Sequence, residues 1–88
     1  MNDAEILQLL EEALAFASPD EAKVKLRPDA TIADLGISSI TVLEIVGYVE
    51  EKLAVRFPDD ALAHLNTVRS MMDMIQTQGI PAQQEERA

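Results

Sequence analysis

Two adjacent serines, Ser38 and Ser39, follow a glycine and precede an amphipathic stretch, in the run Asp34-Leu35-Gly36-Ile37-Ser38-Ser39-Ile40. Gly36 lets the backbone turn through positive φ just before a helix start. Ser39 then lies at the amino end of that helix, where unpaired N–H groups and the helix dipole favour an anion. A hydroxyl there serves as a plain N-cap or as the oxygen of a phosphodiester, and the residues themselves leave both open. Nucleophilic catalysis by Ser39 is poorly supported, because His64 is the only histidine and nothing in the chain brings it close as a base.

Other chemistry has weaker footing. Glu11-Glu12, Glu50-Glu51 and Asp59-Asp60 are sequence neighbours, so within a helix each pair splays by about 100° and faces solvent rather than a cleft. No run alternates oxygen ligands around a central Gly with a final Glu, as a calcium loop needs. Zero cysteines exclude thiol catalysis, disulfides and Cys-bearing zinc sites. Gly36, Gly47 and Gly79 are isolated and form no phosphate loop. Met71, Met72 and Met74 read as helix packing. The chain is expected to be neither an enzyme nor a metal protein.

Four helical elements must position Ser39. Asn2 and Glu5 form a capping box, and Ile6, Leu9, Leu10, Ala13, Leu14 and Ala17 follow at helical spacing until Ser18-Pro19 stops the helix. Residues 18–38 make a long connection, in which Ser18-Pro19-Asp20-Glu21 and Thr31-x-x-Asp34 could each cap a turn. Val24, Leu26, Ile32 and Leu35 are expected to pin it to the core, and long loops held down in this way often carry function. The second helix runs from about Ser39 to Leu53, with Val42, Ile45, Val46, Val49 and Leu53 on one face. Ile40, Glu44, Gly47 and Glu51 share another, where an apolar residue and a bare glycine sit among carboxylates. Gly47 costs roughly 1 kcal/mol against alanine in a helix interior; close approach by a partner, or mere tolerance, accounts for it. After Phe57-Pro58, Asp59 or Asp60 is expected to cap a short third helix ending near Leu65. Asn66-Thr67 caps the fourth, which carries Val68, Met71, Met72 and Ile75, and Gly79 with Pro81 ends it. The expected fold is all-α: a small four-helix bundle with a long loop between its first two helices and a short third helix. It occupies residues 1–80, and residues 81–88 form a flexible tail.

The length and charge agree with one small domain. The 88 residues are 48% hydrophobic with only three aromatic side chains, so the core must be aliphatic. Seven basic against sixteen acidic side chains give a net charge of −9, which repels nucleic acid and anionic membrane surfaces and suits a basic protein partner. Residues 1–22 hold six acids and no base, and residues 29–73 hold eight acids against three bases. No apolar run approaches a bilayer span and the first residues are unlike a leader. A cytoplasmic monomer without membrane insertion is expected.

On these residues the chain resembles the acyl carrier proteins of the phosphopantetheine-binding carrier family. Asp34-Leu35-Gly36-Ile37-Ser38-Ser39-Ile40 is similar to the family signature D-L-G-x-D-S-L. Glu44 and Glu50-Glu51 fall where carriers keep acids on the helix after the serine. Phe57-Pro58-Asp59-Asp60 resembles the lead-in to the third helix, and Leu65-Asn66-Thr67-Val68 with Met72-Asp73-Met74-Ile75 resembles the fourth. The likeness covers about residues 3–78. It implies that Ser39 carries 4′-phosphopantetheine, installed from coenzyme A by a phosphopantetheinyl transferase. The thiol of this arm would hold acyl groups for acyl-loading, acyltransferase and synthase enzymes that dock through basic patches. The implied docking residues are Ser38, Ile40, Glu44, Gly47, Glu50 and Glu51.

The chain also departs from the pattern. Ser38 stands where an acid usually precedes the modified serine, Ile40 replaces Leu, Thr41 stands where many carriers have an acid, and Gly47 where many have a bulky apolar residue. These differences point to a specialised discrete carrier of a polyketide or other secondary pathway rather than the fatty-acid housekeeping one. An aminoacyl or peptidyl carrier of the same fold is the first alternative, although G-G-x-S-L, usual there, is missing. The second is an unmodified helical interaction module in which Ser39 is only an N-cap. Val42, Val46, Ala54, Ala61 and Leu62 describe an acyl-holding cavity and a plain aliphatic core equally well.

Overall fold

The computed structural model describes residues 1–20 and 25–81. Four helices follow one another: α1 (Asp3–Ala17), α2 (Ser39–Leu53), α3 (Asp59–Ala63) and α4 (Val68–Thr77). Two two-residue strands, β1 (Val55–Arg56) and β2 (Ile80–Pro81), pair antiparallel, Val55 opposite Pro81 and Arg56 opposite Ile80. The bundle is therefore all-α apart from this small clip, which helical periodicity does not reveal. Pro81, assigned to the tail by the sequence pattern, is its last residue. The expected fraying of residues 82–88, and the expected roles of Glu21 and Val24, lie outside the described residues.

Each helix forms for a reason visible in its sequence. α1 opens on the expected capping box: the Asn2 side chain accepts from Glu5 N–H at 2.8 Å while Glu5 accepts from Asn2 N–H at 3.0 Å. Its buried stripe is Ile6, Leu9, Leu10, Ala13 and Leu14. α4 opens on Thr67, whose hydroxyl accepts from Ser70 N–H at 3.0 Å while Ser70 Oγ accepts from Thr67 N–H at 3.0 Å. It buries Val68, Met71, Met72 and Met74, with Ile75 half-buried beside them. α3 departs from expectation at both ends. Its N-cap is Pro58, which makes no side-chain cap bond, and Asp59 and Asp60 lie in the first turn. There their carboxylates complement the helix dipole instead of capping. The helix stops at Ala63, with His64 as C-cap, two residues short of Leu65.

The core is aliphatic and methionine-rich, with Ile6, Leu10, Leu14, Ile45, Val49, Val68 and Met72 almost wholly buried. α1 packs chiefly on α2 and secondarily on α4. The long loop is fastened rather than loose where it is described. Leu26, Ile32 and Ile37 are buried and Leu35 packs partly against the core. Its backbone bonds to the start of α4: Ile32 N–H donates to Asn66 O at 2.9 Å, Val68 N–H to Ala30 O at 3.0 Å and Arg69 N–H to Pro28 O at 2.9 Å. Asp34 N–H donates to Thr31 Oγ1 at 3.2 Å, closing the turn expected there. These bonds satisfy loop backbone groups that burial would otherwise strand, and they fix the point from which α2 departs. No helix among the described residues is long and apolar enough to cross a membrane.

Candidate functional site

The Asp34–Ile40 segment enters α2 through a tight turn. Gly36 has φ +76°, its N–H donates to Ala33 O at 3.0 Å, and Ile37 then turns its side chain into the core. A residue with a Cβ would be strained at this φ. The buried Ile37 and the αL glycine together fix where α2 begins, at Ser39 as the spacing predicts, with the cap on the residue before it.

The N-cap of α2 is Ser38, not Ser39. Ser38 has extended backbone angles, and its Oγ accepts from Thr41 N–H at 3.2 Å. The same oxygen lies 2.9 Å from Thr41 Oγ1, and Thr41 is only 7% exposed. Two positions where the chain departs from the wider carrier pattern, Ser38 and Thr41, thus form one hydroxyl pair at the cap of the helix. Ser39 is the first helical residue and is exposed. The N-cap role assigned to Ser39 is corrected by this geometry, because Ser38 already fills it. No acidic residue lies in the first turn of α2, so the positive end of its dipole is not offset there by a carboxylate.

Next to Ser39 lies an open cleft of about 350 Å³ between α2, the loop and the α3–α4 connection. Ile32, Ile37, Val42, Leu43, Leu62 and Leu65 give it an apolar lining, with Ser39 and Asn66 at its polar edge. Deeper in the bundle, the gap among Leu10, Val46, Phe57, Met71 and Met74 amounts to about 10 Å³. Val46 belongs to that closed core and Ala54 is the exposed C-cap of α2. Of the five candidate cavity residues only Val42 and Leu62 line the cleft.

The solvent face of α2 begins beside the serine. Ile40 is 72% and Leu43 60% exposed, unusual for side chains of this size. Glu44, Gly47 and Glu51 continue along the helix, all exposed. Glu50 faces elsewhere: its carboxylate accepts from Phe57 N–H at 2.9 Å and lies 3.8 Å from Arg56 Nε, with its side chain 22% exposed. It ties the end of α2 to the following connection. Tyr48, on the α1 side, donates from its hydroxyl to Glu12 at 3.0 Å and meets the Phe16 ring at 5.2 Å between centroids. The Glu12 bond, some burial and the Glu12 charge together raise the Tyr48 phenol above its usual range. This α1–α2 cluster spans 36 residues of sequence, and no local pattern announces it.

Comparison with known proteins bears on this arrangement. The family described as "Phosphopantetheine attachment site" matches residues 4–75. The chain belongs to the acyl carrier protein family. It is 33% identical over 70 residues to the anthracycline acyl carrier protein DauA of Streptomyces sp. strain C5, covering 78% of this chain and 80% of that one. With the acyl carrier protein of Thermosynechococcus vestitus it shares 35% identity over 77 residues, 85% of this chain and 93% of the other. Its fold resembles the acetyl actinorhodin acyl carrier protein from Streptomyces coelicolor, with TM-score 0.68, 24% identity and 93% of both chains covered. As an acyl carrier protein the chain is a carrier and not a catalyst, and its cofactor is phosphopantetheine. Phosphopantetheinyl transferase and synthase enzymes are the general partners of this family. The structure offers such an arm an exposed hydroxyl at a helix start and an open apolar cleft beside it.

Proposed function

We propose that this acyl carrier protein holds its phosphopantetheine on Ser39 and carries acyl intermediates of a polyketide or related secondary-metabolite pathway. The observation that carries the assignment to Ser39 is the division of labour between the two serines. Ser38 Oγ is engaged with Thr41 in the cap, whereas Ser39, one residue on, is exposed at the rim of the cleft. A transferase reaches the Ser39 hydroxyl without undoing the helix. The amino end of α2, free of carboxylates in its first turn, favours the phosphodiester that results.

When bound, the arm supplies the thiol on which acyl groups are held as thioesters. The chain's own residues do the rest. Ile40 and Leu43 offer an apolar docking surface at the serine, and Glu44 and Glu51 extend it with negative charge that steers toward basic patches. Ser38, Gly47 and Glu50 complete the set of docking residues expected from the sequence. Among them Ser38 and Glu50 act indirectly, holding the two ends of α2. Support for the pathway comes from the anthracycline relative and from the departures at Ser38, Ile40, Thr41 and Gly47.

Loading of the phosphopantetheinylated protein tests this reading. It is offered in parallel to an acyltransferase with malonyl-coenzyme A and to an amino-acid-activating enzyme with ATP and its amino acid. A thioester formed only with the acyl donor, detected by intact mass and removed by hydroxylamine, is the expected result. Loading only by the amino-acid enzyme would make the chain an aminoacyl carrier instead.

A further inference from the structure

The Ser38–Thr41 pair at the cap of α2 leaves one hydroxyl proton unused. Ser38 Oγ stands 2.9 Å from Thr41 Oγ1 and accepts from Thr41 N–H at 3.2 Å. Either hydroxyl could donate across the shorter contact, but the two are not equally free to do so. Thr41 is 7% exposed, and its hydroxyl has no other partner among the described residues. A Thr41 proton not given to Ser38 would therefore be buried unpaired, which is costly. Ser38 is exposed and finds acceptors outside. Thr41 is thus the donor. A serine oxygen has two acceptor sites and one proton. Thr41 occupies both acceptor sites of Ser38, so Ser38 presents a donor alone to the outside. The carboxylate that usually precedes the modified serine in carriers is the reverse, an acceptor alone.

We infer that Ser38 is a positioning residue for the phosphopantetheine arm: its hydroxyl donates to the phosphodiester on Ser39 and holds the first atoms of the arm against α2. The inference rests on the attachment to Ser39 proposed above. A phosphodiester on Ser39 Oγ has its phosphorus two bonds from that residue's Cβ, and neighbouring Cα atoms are about 3.8 Å apart. Covalent geometry alone therefore brings a phosphate oxygen within reach of the Ser38 hydroxyl. The free oxygens of the ester are acceptors only, the complement of a group that only donates. A hydroxyl that donates to an ionised oxygen makes a shorter and stronger bond than a neutral pair does. The N–H groups of Ser39 and Ile40, first and second in the helix, have no acceptor within it and share the same oxygens. An acid at position 38 would repel the ester instead. Exchanging that acid for a hydroxyl thus adds a hold on the arm, and Thr41, by filling both acceptor sites, aims it.

The test compares thermal unfolding before and after modification by coenzyme A and transferase, with mass mapping of the adduct on the same samples. In the parent, the arm is expected to raise the midpoint by roughly 2–8 °C, as an anion held at a helix start does. Ser38→Thr keeps the hydroxyl and should keep the rise. Ser38→Ala starts from a lower midpoint for want of the cap, and its rise should be no more than about half that of the parent. Ser38→Asp retains a side-chain cap, so the unmodified variant folds, yet the arm should give it no rise. A Ser38 that only caps predicts equal rises in the parent, Ser38→Thr and Ser38→Ala. The Thr41 amide proton gives a second reading: polarised through Ser38 Oγ, it moves downfield when the parent is modified. A parent without a rise, an equal rise in Ser38→Ala, a rise retained in Ser38→Asp or an unmoved Thr41 amide would overturn the inference while Ser39 still carried the arm. An adduct mapped to Ser38, or none at all, would overturn the attachment to Ser39 and the hold with it, so the two failures are told apart by mass.

Discussion

Ser38 and Ser39 are chemically identical neighbours to which the proposal gives different roles, cap and attachment site, and alanine substitution separates them. Ser38→Ala removes the cap that accepts from Thr41 N–H, which costs about 1 kcal/mol. It also takes the partner of Thr41 Oγ1, a hydroxyl 7% exposed as a residue and so poorly served by water, at a cost of about 1 kcal/mol more. A total of about 2 kcal/mol lowers the unfolding midpoint of a domain this size by roughly 8–16 °C. Ser39→Ala touches an exposed first-turn residue with no cap bond and changes stability by less than about 0.5 kcal/mol. Thermal and urea unfolding followed by far-ultraviolet circular dichroism measure both variants, and the transferase reaction measures the arm. Ser38→Ala should unfold early yet still be modified below its midpoint, whereas Ser39→Ala should be as stable as the parent and inert. A Ser39→Ala protein destabilised as much as Ser38→Ala would refute the reasoning, because Ser39 would then be the cap.

Further predictions concern the backbone and the single tyrosine. Gly36→Ala, at φ +76°, should destabilise by about 1 kcal/mol, whereas Ala54→Gly, at φ 55° in the C-cap of α2, should stabilise by about 0.5 kcal/mol; equal signs in urea titrations would contradict the left-handed assignments. Tyr48 is the only tyrosine and there is no tryptophan, so alkaline phenolate absorbance reports this group alone. Its bond to Glu12 raises the folded pKa. The stability gained from that bond is therefore complete below the unfolded value of about 10 and is lost as pH rises through the higher folded value. Glu12→Gln should lower the absorbance midpoint, and an unmoved midpoint would show that Glu12 does not hold the phenol.

Much of this arrangement is legible in the residues because its determinants are local. Asn2 with Glu5 and Thr67 at the head of α4 lie beside the backbone groups they satisfy, and the stripe from Ile6 to Leu14 has helical period. Leu26, Ile32 and Leu35 mark a fastened loop by being large and apolar among the prolines and charged residues of the connection. What escapes is either one residue wide or distant in sequence. Ser38 and Ser39 differ only in which side of the helix boundary they occupy, and helix ends are where residue patterns are least sharp. Asp59 and Asp60 look like caps because of their side chains, yet Pro58, which has none to offer, takes the position. The two-residue pairing of Val55–Arg56 with Ile80–Pro81 is too short for any alternation to show. Tyr48 meets Glu12 and Phe16 only because α1 folds back on α2. Glu50 reads as one more surface acid until its carboxylate is seen to hold Phe57 N–H.

The same fold also explains why a chain without cysteine or a catalytic set has a functional centre at all. Loop bonds to α4 fix the departure of α2, the Ser38–Thr41 pair caps it, and one free hydroxyl is left exposed beside an apolar cleft. Catalysis is left to the partners and the sulfur to the cofactor.

The most direct measurement is peptide-mapped tandem mass spectrometry after incubation with coenzyme A and a broad-specificity phosphopantetheinyl transferase. A single phosphopantetheine adduct on Ser39 is expected, absent in Ser39→Ala and retained in Ser38→Ala. An adduct on Ser38, or a folded protein that several such transferases leave unmodified, would contradict it.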